Sequence, residues 1–416
     1  MSVVPVLGDF ADLARGYAAR FPARYSLRLR LEELTLDVRS NSEAVADDLR
    51  GYFGSFVAAD ASGPADLEFL LLEAPEQEPP VPLAVKPHAP GKRADKERFA
   101  DVPGVGPGVV PGDLPNIVPD NLPGNVPGDG EDPGGGRVVR KQATGMLFLF
   151  GGAFNIAVGP CAANRNQLVN FLCVRYMERR LAQGWMLGHA AGVARPGQKG
   201  KGLALCGFAG MGKSTLALHL VARGLDFVSN DRVLVQPASL ALGDVAQGRF
   251  LGPLLHGIPK HPRLNPGTAL GNPALAGLLA PALEQALPEA ARSAYARLAP
   301  GALRAVEDKY DAPIDACFGS GRFRLAAPLS GVVVLNWTHG GGALSARRVD
   351  LRQRPDLLKA LRKQPGVFYL PQAIAGRARL TPEQCLEALA GVPALELCGG
   401  SDFEAAALLC EEFLGD

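Results

Sequence analysis

The sequence predicts an α/β protein in three parts: a small N-terminal α/β domain over residues 1–74, a Pro/Gly-rich insertion or linker over 75–136, and a larger α/β domain over 137–416. Three observations support this division. Apolar and polar residues alternate near the N-terminus, which is typical of half-buried strands. Prolines crowd the middle of the chain. In the C-terminal part a buried strand, a glycine-rich loop and a helix follow one another directly, as in α/β folds.

The N-terminal part is expected to contain a hairpin, a helix and a further strand. Leucines alternate with arginines over 27–31, and apolar residues alternate again over 34–38, so two paired strands are expected. Ser42 can accept a hydrogen bond from the first turn of a helix over 43–56. Residues 66–73, DLEFLLLE, are expected to form another strand.

Residues 75–136 hold 14 of the 35 prolines, and from Pro103 to Pro127 a proline recurs at every fourth position. Pro-Gly pairs favour type II turns, because glycine adopts the positive φ that such a turn needs. Proline at this density argues against helices and central strands, since proline lacks a backbone N–H. The insertion is therefore either a flexible, turn-rich segment or an ordered loop that covers a site or a partner.

The C-terminal part returns to a globular pattern. Strands are expected at 137–141, 146–150, 154–158, 202–207 and 331–337, and helices at 164–184, 214–224 and 288–299. The rest of residues 251–310 is expected to form loops. Two helices close the chain, and each is expected to begin with a capping box, Thr381 with Gln384 and Ser401 with Glu404.

Composition argues against several classes of protein. The 43 basic and 42 acidic residues balance, so neither nucleic acid nor a membrane is expected as a partner. The most apolar stretch, residues 146–158, is too short to span a bilayer. The seven cysteines include no C-x-x-C pair, which argues against disulfides and structural zinc. The chain starts without a basic signal-peptide region, so a cytoplasmic protein with reduced thiols is expected.

Residues 207–214, GFAGMGKS, match the pattern G-x-x-x-x-G-K-[ST] between an expected strand and an expected helix. The glycines let the backbone wrap closely around phosphate oxygens, and the N–H groups at the helix start attract anions. The pattern therefore predicts a nucleotide-binding loop. Its residues are Gly207, Phe208, Ala209, Gly210, Met211, Gly212, Lys213, Ser214 and Thr215.

Three polar side chains are expected to carry the chemistry around this loop. Lys213 can reach the β- and γ-phosphates of ATP, and the hydroxyl of Ser214 can ligate Mg²⁺. Asp231 lies at the end of the next predicted strand, where a carboxylate would supply a second metal contact or a base. The alternative is that Asp231 only makes the turn between two strands.

Three features resemble the HPr kinase/phosphorylase family, and specifically its HPr-kinase-related B-type branch. HAAGVA places His189 18 residues before Gly207, the glycine loop follows, and Asn230-Asp231-Arg232-Val233 lies where the family has Asp-Asp-Arg-Val. The resemblance covers roughly residues 187–235, and KHPRLNPGTAL and EDKYD suggest the related branch further along the chain. It implies a P-loop core similar to the nucleotide core of phosphoenolpyruvate carboxykinase.

The resemblance also implies an ATP- and Mg²⁺-dependent kinase that phosphorylates a serine on a small acceptor protein. It places His189 near the reacting phosphate and makes Asp231 the carboxylate on the Mg²⁺ side. Asn230 departs from the family pattern, because an amide cannot accept the proton that the family's first Asp accepts. Either Asp231 takes over that role, or positioning and electrostatics suffice for transfer, or the protein binds nucleotide without transferring phosphate.

Four more residues are candidates for contacts with substrate or phosphate: Asn230, Arg232, Arg263 and Lys309. The alternative for Lys309 is a surface ion-pair cluster with the acidic residues of EDKYD, and the alternative for Arg263 is a loop anchor. Two other functions stay open, a nucleotide-gated binding or regulatory module and a small-molecule kinase that acts on a compound such as free serine. The sequence does not define the oligomeric state, although members of the family often form hexamers, which allows a homo-oligomer.

Overall fold

The computed structural model describes residues 9–59, 62–79, 81–86, 96–104, 135–197, 200–240, 252–374 and 380–415. The chain is a mixed α/β protein with several sheets. It divides into two compact units. The N-terminal unit comprises Met1–Tyr176 with Gly366–Leu370, and the C-terminal unit comprises Met177–Pro365 with Pro371–Asp416.

An eight-stranded sheet forms the centre of the N-terminal unit. Its strands are β1 (Tyr25–Leu31), β2 (Leu34–Ser40), β3 (Leu67–Glu73), β4 (Ala84–Val85), β5 (Glu97–Val102), β6 (Gly136–Lys141), β7 (Leu147–Gly151) and β8 (Phe154–Gly159). They lie in the order β1-β2-β3-β8-β7-β6-β5-β4. β1 and β2 pair antiparallel with Leu27 opposite Val38, which confirms the predicted hairpin, and β3 confirms the next predicted strand.

Two helices accompany this sheet, α1 (Phe10–Arg20) and α2 (Glu43–Phe53). Ser42 caps α2 as predicted, because its side chain accepts a hydrogen bond from the Val45 amide. Phe10 of α1 is buried in the hydrophobic core of the unit.

Helix α3 (Arg165–Ala182) confirms the helix predicted over 164–184. Within the N-terminal unit its Phe171 packs edge-on against Phe69 and at a tilt against Phe148, both from the sheet. Aromatic contacts of this kind stabilise a core beyond simple burial of area.

The predicted insertion over 75–136 contains an interior strand, which corrects the expectation that it holds none. β5 pairs antiparallel with β4 on one side and with β6 on the other. The reason is local, since residues 91–102 contain no proline although the surrounding segment is rich in it. The tetrapeptide repeat beyond residue 104 lies outside the described residues.

Strand pairing in the N-terminal unit crosses the predicted boundary between residues 136 and 137. β8 pairs in parallel with β3, and β6 pairs with β5, so strands from all three predicted parts share one ladder of hydrogen bonds. The division between compact units falls at Tyr176 and Met177 instead. The high proline content of residues 75–136 indicates a change in local backbone structure. Which segments belong to one compact unit depends on strand pairing.

A nine-stranded sheet forms the centre of the C-terminal unit. The strands of this unit are β9 (Met186–Gly188), β10 (Ala190–Ala194), β11 (Gly202–Gly207), β12 (Asp226–Ser229), β13 (Val233–Gln236), β14 (Leu254–His256), β15 (Arg263–Leu264), β16 (Tyr310–Asp311), β17 (Ala326–Leu335), β18 (Ser345–Val349) and β19 (Ala394–Cys398). The main path runs β12-β10-β11-β17-β14-β13-β9, and β15 pairs separately with β16. β11, β17 and β19 lie parallel, so their carboxyl ends meet at one edge.

The helices of this unit are α4 (Lys213–Ala222), α5 (Pro266–Leu270), α6 (Pro273–Ala286), α7 (Glu289–Ala296), α8 (Pro300–Ala305), α9 (Ile314–Phe318), α10 (Pro355–Leu361), α11 (Pro382–Ala388) and α12 (Phe403–Gly415). α4 and α7 confirm two predicted helices. The expectation of loops elsewhere in 251–310 is wrong, because α5, α6 and α8 lie there. Each of these three begins with a proline, which breaks a helix interior but is favoured in the first turn.

The two closing helices begin differently from one another. Thr381 and Gln384 form the predicted capping box at the start of α11. The predicted cap of α12 is wrong, because Asp402 accepts hydrogen bonds from the amides of Glu404 and Ala405. The hydroxyl of Ser401 instead contacts another part of the unit, described below.

All seven cysteines are free thiols, and six of them are buried. Within the described ranges, no helix is both long and apolar enough to cross a membrane.

Candidate functional site

The glycine loop, residues 207–212, joins β11 to α4 as the motif predicts. Lys213 begins the helix and folds back over the loop, and its Nζ donates hydrogen bonds to the carbonyl oxygens of Gly207 at 2.7 Å and Phe208 at 3.2 Å. Burial lowers the pKa of the Lys213 ammonium, and the nearby Asp231 carboxylate opposes this effect. The positive charge is therefore held at the mouth of the loop, beside the start of a helix, where anions bind.

Gly212 is the position in the loop where glycine is most clearly required. Its φ is +85°, which disfavours any residue with a Cβ. A Cβ at this position would also lie 2.6 Å from the ring of Phe403. The second glycine of the motif therefore provides both the positive φ of the turn and the space into which α12 packs.

Two side chains that the motif does not include contact the loop, and a third bonds to one of them. Trp337 Nε1 donates a 2.9 Å hydrogen bond to the Met211 carbonyl. One ring nitrogen of His339 lies 3.2 Å from the Gly210 carbonyl, and the other lies 2.8 Å from the Ser401 hydroxyl. These residues follow the carboxyl ends of β17 and β19, the edge at which ligands of parallel sheets bind. Sequence reasoning missed them. Their position directly after a buried strand was the signal that could have identified them.

Strand register brings His189 next to Asp231. β9 pairs antiparallel with β13 as far as Gly188 opposite Val233, and β10 pairs antiparallel with β12 from Gly192 opposite Ser229, beyond which the register shifts by one residue. The residues between these pairs, 189–191 and 230–232, therefore face each other. His189 Nε2 lies 3.5 Å from Asp231 Oδ1.

Asp231 has an unusual backbone and an ionised side chain. Its φ of 66° lies in the left-handed region, which non-glycine residues rarely adopt and which is enriched at functional sites. Partial burial would raise the pKa of the carboxyl, but the hydrogen bond from His189 and the charges of Lys363 and Arg232 outweigh it and lower that pKa. The side chain stays 59% exposed. An exposed carboxylate is thus held beside an imidazole at neutral pH.

Asn230 points to the loop rather than to the imidazole. Its side-chain oxygen accepts a 2.7 Å hydrogen bond from the Ser214 hydroxyl. The amide therefore fixes the orientation of the serine that the motif assigns to a metal ion. Lys363 was not predicted, and it lies close enough to act electrostatically on both Lys213 and Asp231.

A cleft of about 710 Å³ lies over the glycine loop, within the C-terminal unit. One side is the loop wall, which we define as residues 207–215 with Trp337, His339, Ser401 and Phe403. The other side is the cap segment, which we define as residues 263–311. A volume of this size falls within the range of small-molecule sites, roughly 300–1,000 Å³.

The cleft brings most of the predicted site residues together. Its lining includes His189, Ala209, Gly210, Gly212, Lys213, Ser214, Thr215, Asp231, Arg263 and Lys309. The predicted residues Gly207, Phe208, Met211, Asn230 and Arg232 support the lining or lie beside it. Arg304 also lines the cleft and was not predicted, because an exposed arginine on a short helix carries no motif.

Arg263 and Lys309 come from distant parts of the chain and meet through β15 and β16. Arg263 pairs with Asp311 in the ladder, and its Nη2 donates a 3.1 Å hydrogen bond to the Lys309 carbonyl. Arg263 Nε also lies 3.4 Å from the Asp311 carboxylate. Arg263 is therefore an anchor and a cleft residue at the same time.

The oxygen atoms beside the loop fit Mg²⁺. Ser214, Asn230 and Asp231 offer a hydroxyl, an amide oxygen and a carboxylate, which are the hard ligands that Mg²⁺ prefers. Across the part of the chain that the structure describes, no group of three or more His, Cys, Asp or Glu side chains could hold a metal ion. A metal held by few protein oxygens together with nucleotide phosphates is the usual Mg²⁺ arrangement.

Comparisons of the chain with models of protein families and with curated proteins gave no match.

Proposed function

We propose that the protein is an ATP- and Mg²⁺-dependent kinase that transfers the γ-phosphoryl group to a serine hydroxyl of a small acceptor protein. The observation that carries the proposal is that one cleft contains Lys213 and Ser214 on the glycine loop together with Asp231 and His189. A loop that binds phosphates, a hydroxyl for the metal and a carboxylate for the acceptor are the parts that phosphoryl transfer needs. The resemblance to HPr kinase/phosphorylase supports the same reading.

In this proposal the acceptor oxygen bonds to the γ-phosphorus, and the bond from that phosphorus to the oxygen bridging to the β-phosphate breaks. ADP leaves with the bond electrons. The hydroxyl proton passes to Asp231 and is held between that carboxylate and the imidazole of His189, 3.5 Å away.

The loop residues bind and orient the donor. Backbone N–H groups at the start of α4 and the Lys213 ammonium attract the phosphates. Ser214, kept in orientation by Asn230, and one carboxylate oxygen of Asp231 would hold Mg²⁺, which leaves Oδ1, the oxygen beside His189, to take the proton. The ion would neutralise charge on the β- and γ-phosphates.

The test uses the full chain, γ-labelled ATP and Mg²⁺ with candidate acceptor proteins. We expect label on a serine of an acceptor band in the wild type, and a loss of at least about 100-fold in Asp231→Ala, as for a general base. Lys201→Ala is the matched control for Lys213→Ala, because Lys201 lies on the surface outside the cleft. Equal labelling by wild type, Lys213→Ala and Asp231→Ala would exclude the kinase.

A nucleotide-gated binding module is the second candidate, and Asn230 is the observation that favours it. The side chain accepts a hydrogen bond from Ser214 and, being an amide, cannot take up a proton. Tight ATP binding with no label in any acceptor would support this function. Gain of transfer in Asn230→Asp would then identify the missing carboxylate as the cause.

A further inference from the structure

The two walls of the cleft carry an excess of positive charge. Among the residues that line it, Lys213 is the cation of the loop wall, and Arg263, Arg304 and Lys309 are the cations of the cap segment. Asp231 is the one carboxylate in this lining. A cleft with charge of one sign focuses its field and raises the local concentration of anions.

The acidic neighbours of Lys309 are engaged elsewhere. The Asp308 carboxylate accepts a 3.0 Å hydrogen bond from the Tyr295 hydroxyl. The Asp311 carboxylate faces Arg263. Lys309 therefore does not form the surface ion-pair cluster that its sequence context allows.

Arg304 and Lys309 are both exposed at the cleft. Within the described parts of the chain, neither side chain has an acidic partner within 4 Å. Lys309 is nevertheless fixed in place, because its carbonyl accepts the hydrogen bond from Arg263 at the end of the β15–β16 pair. Two cations with no acidic partner among the described residues thus line the cleft, and the backbone of Lys309 is fixed by the bond from Arg263.

The donor nucleotide does not require these two cations. The loop N–H groups, Lys213 and a Mg²⁺ ion already compensate the phosphates on the opposite wall. The loop wall and the cap segment line the same cleft, so an acceptor bound there beside the donor lies next to residues of both. Any negative charge near its hydroxyl is then within the field of Arg304 and Lys309.

We propose that the acceptor is a polypeptide segment with acidic side chains beside the phosphorylated serine, and that Arg304 and Lys309 bind those carboxylates. The proposal rests on the kinase function proposed above. Guanidinium and ammonium groups form strong, charge-assisted hydrogen bonds with carboxylates, and charge complementarity across an interface selects partners.

The experiment compares two serine peptides of equal length, one flanked by Asp and Glu and one by Lys, as substrates of the full-length protein with ATP and Mg²⁺. We expect kcat/KM to be about 10-fold higher or more for the acidic peptide, as two charge-assisted contacts allow. Arg304→Glu/Lys309→Glu should reverse the preference. Arg297→Glu, an exposed arginine outside the cleft lining, should leave the preference unchanged.

A peptide-binding assay tests the inference even if neither peptide is phosphorylated. Versions of both peptides with alanine in place of serine are titrated against the protein with ATP and Mg²⁺, and fluorescence anisotropy reports the Kd. Tighter binding of the acidic peptide, lost in Arg304→Glu/Lys309→Glu, supports the inference even where absence of transfer contradicts the kinase function. Equal Kd values for the two peptides would overturn the inference, as would a loss of ATP affinity in the double variant as large as that in Lys213→Ala.

Discussion

The loop wall and the cap segment face one cleft but are built from different kinds of chain. The loop wall is built on one contiguous run, residues 207–215, and includes Trp337 and His339, which bond to that run from the carboxyl end of the neighbouring strand. The cap segment consists of short helices and the two-stranded pair β15–β16. The loop wall positions backbone groups, and the cap segment presents long cationic side chains. In the functions proposed above, this difference separates donor binding from acceptor selection, and four predictions address the two walls and the unit that contains them.

The largest expected effect is on the loop wall. Gly212→Ala should lower the free energy of unfolding by about 2–5 kcal/mol, because it adds an unfavourable φ to a clash with Phe403. Gly224→Ala is the matched control, since Gly224 also has positive φ, +112°, but nothing lies within 4 Å of its added Cβ. Gly224→Ala should lower the free energy of unfolding by only about 1–2 kcal/mol. Denaturant unfolding measures both, and equal losses would show that Phe403 does not constrain the loop.

The cap segment should depend on its own helix packing. Leu303 is buried against Gly267 and Gly271, whereas Leu298 lies 38% exposed at the cleft. Leu303→Ala should destabilise the cap segment by about 2–4 kcal/mol, and Leu298→Ala should have little effect. Hydrogen exchange of the cap amides measures the change. We expect Leu303→Ala to speed exchange in the cap segment only. If exchange speeds up more in the loop wall than in the cap segment, the two walls are not stabilised independently.

Nucleotide affinity should depend on the loop wall. Lys213→Ala should weaken ATP binding by roughly 10- to 100-fold, the range of a hydrogen bond to a charged group. Lys201→Ala should retain the wild-type Kd. Isothermal titration calorimetry with Mg²⁺ and ATP gives both values, and an unchanged Kd in Lys213→Ala would remove the loop from the donor site.

The smallest expected effect is the change in stability with pH that comes from Glu396 of β19, in the same unit as the cleft. Burial would raise the pKa of Glu396, but hydrogen bonds from Arg347, Arg354 and Asn336 outweigh it and lower the pKa to about 2. Because the unfolded state then binds more protons, the stabilisation is complete above about pH 5 and is lost as the pH falls through 2. The slope contributed is at most about 1.4 kcal/mol per pH unit.

Glu396→Gln should flatten the acid limb of the stability curve, measured by denaturant unfolding between pH 5 and pH 2. Glu412→Gln, on the exposed part of α12, should leave that limb as it is in the wild type. An identical acid limb in Glu396→Gln and the wild type would show that this network does not stabilise the folded state.

Much of the local structure could be predicted because short-range physics decides it. The hairpin of β1 and β2 follows from alternation, the start of α2 from Ser42, and the strand, loop and helix at 202–222 from the motif. The errors arose where the same residue type has two uses. Proline at N1 begins α5, α6 and α8, yet in the sequence it indicates loops. Ser401 is a residue type that often caps helices, but its hydroxyl contacts His339, and Asp402 accepts the hydrogen bonds at the start of α12 instead.

The sequence by itself determined the glycine loop, because backbone conformation, a lysine and a serine at fixed spacing need no distant partner. Only the tertiary structure decided which side chains surround it. His189 meets Asp231 because the strand pairs β9–β13 and β10–β12 lie on either side of these two residues, and Arg263 meets Lys309 because β15 pairs with β16 across 46 residues of chain. Strand register and helix packing are cooperative, long-range properties, so spacing along the chain does not contain them.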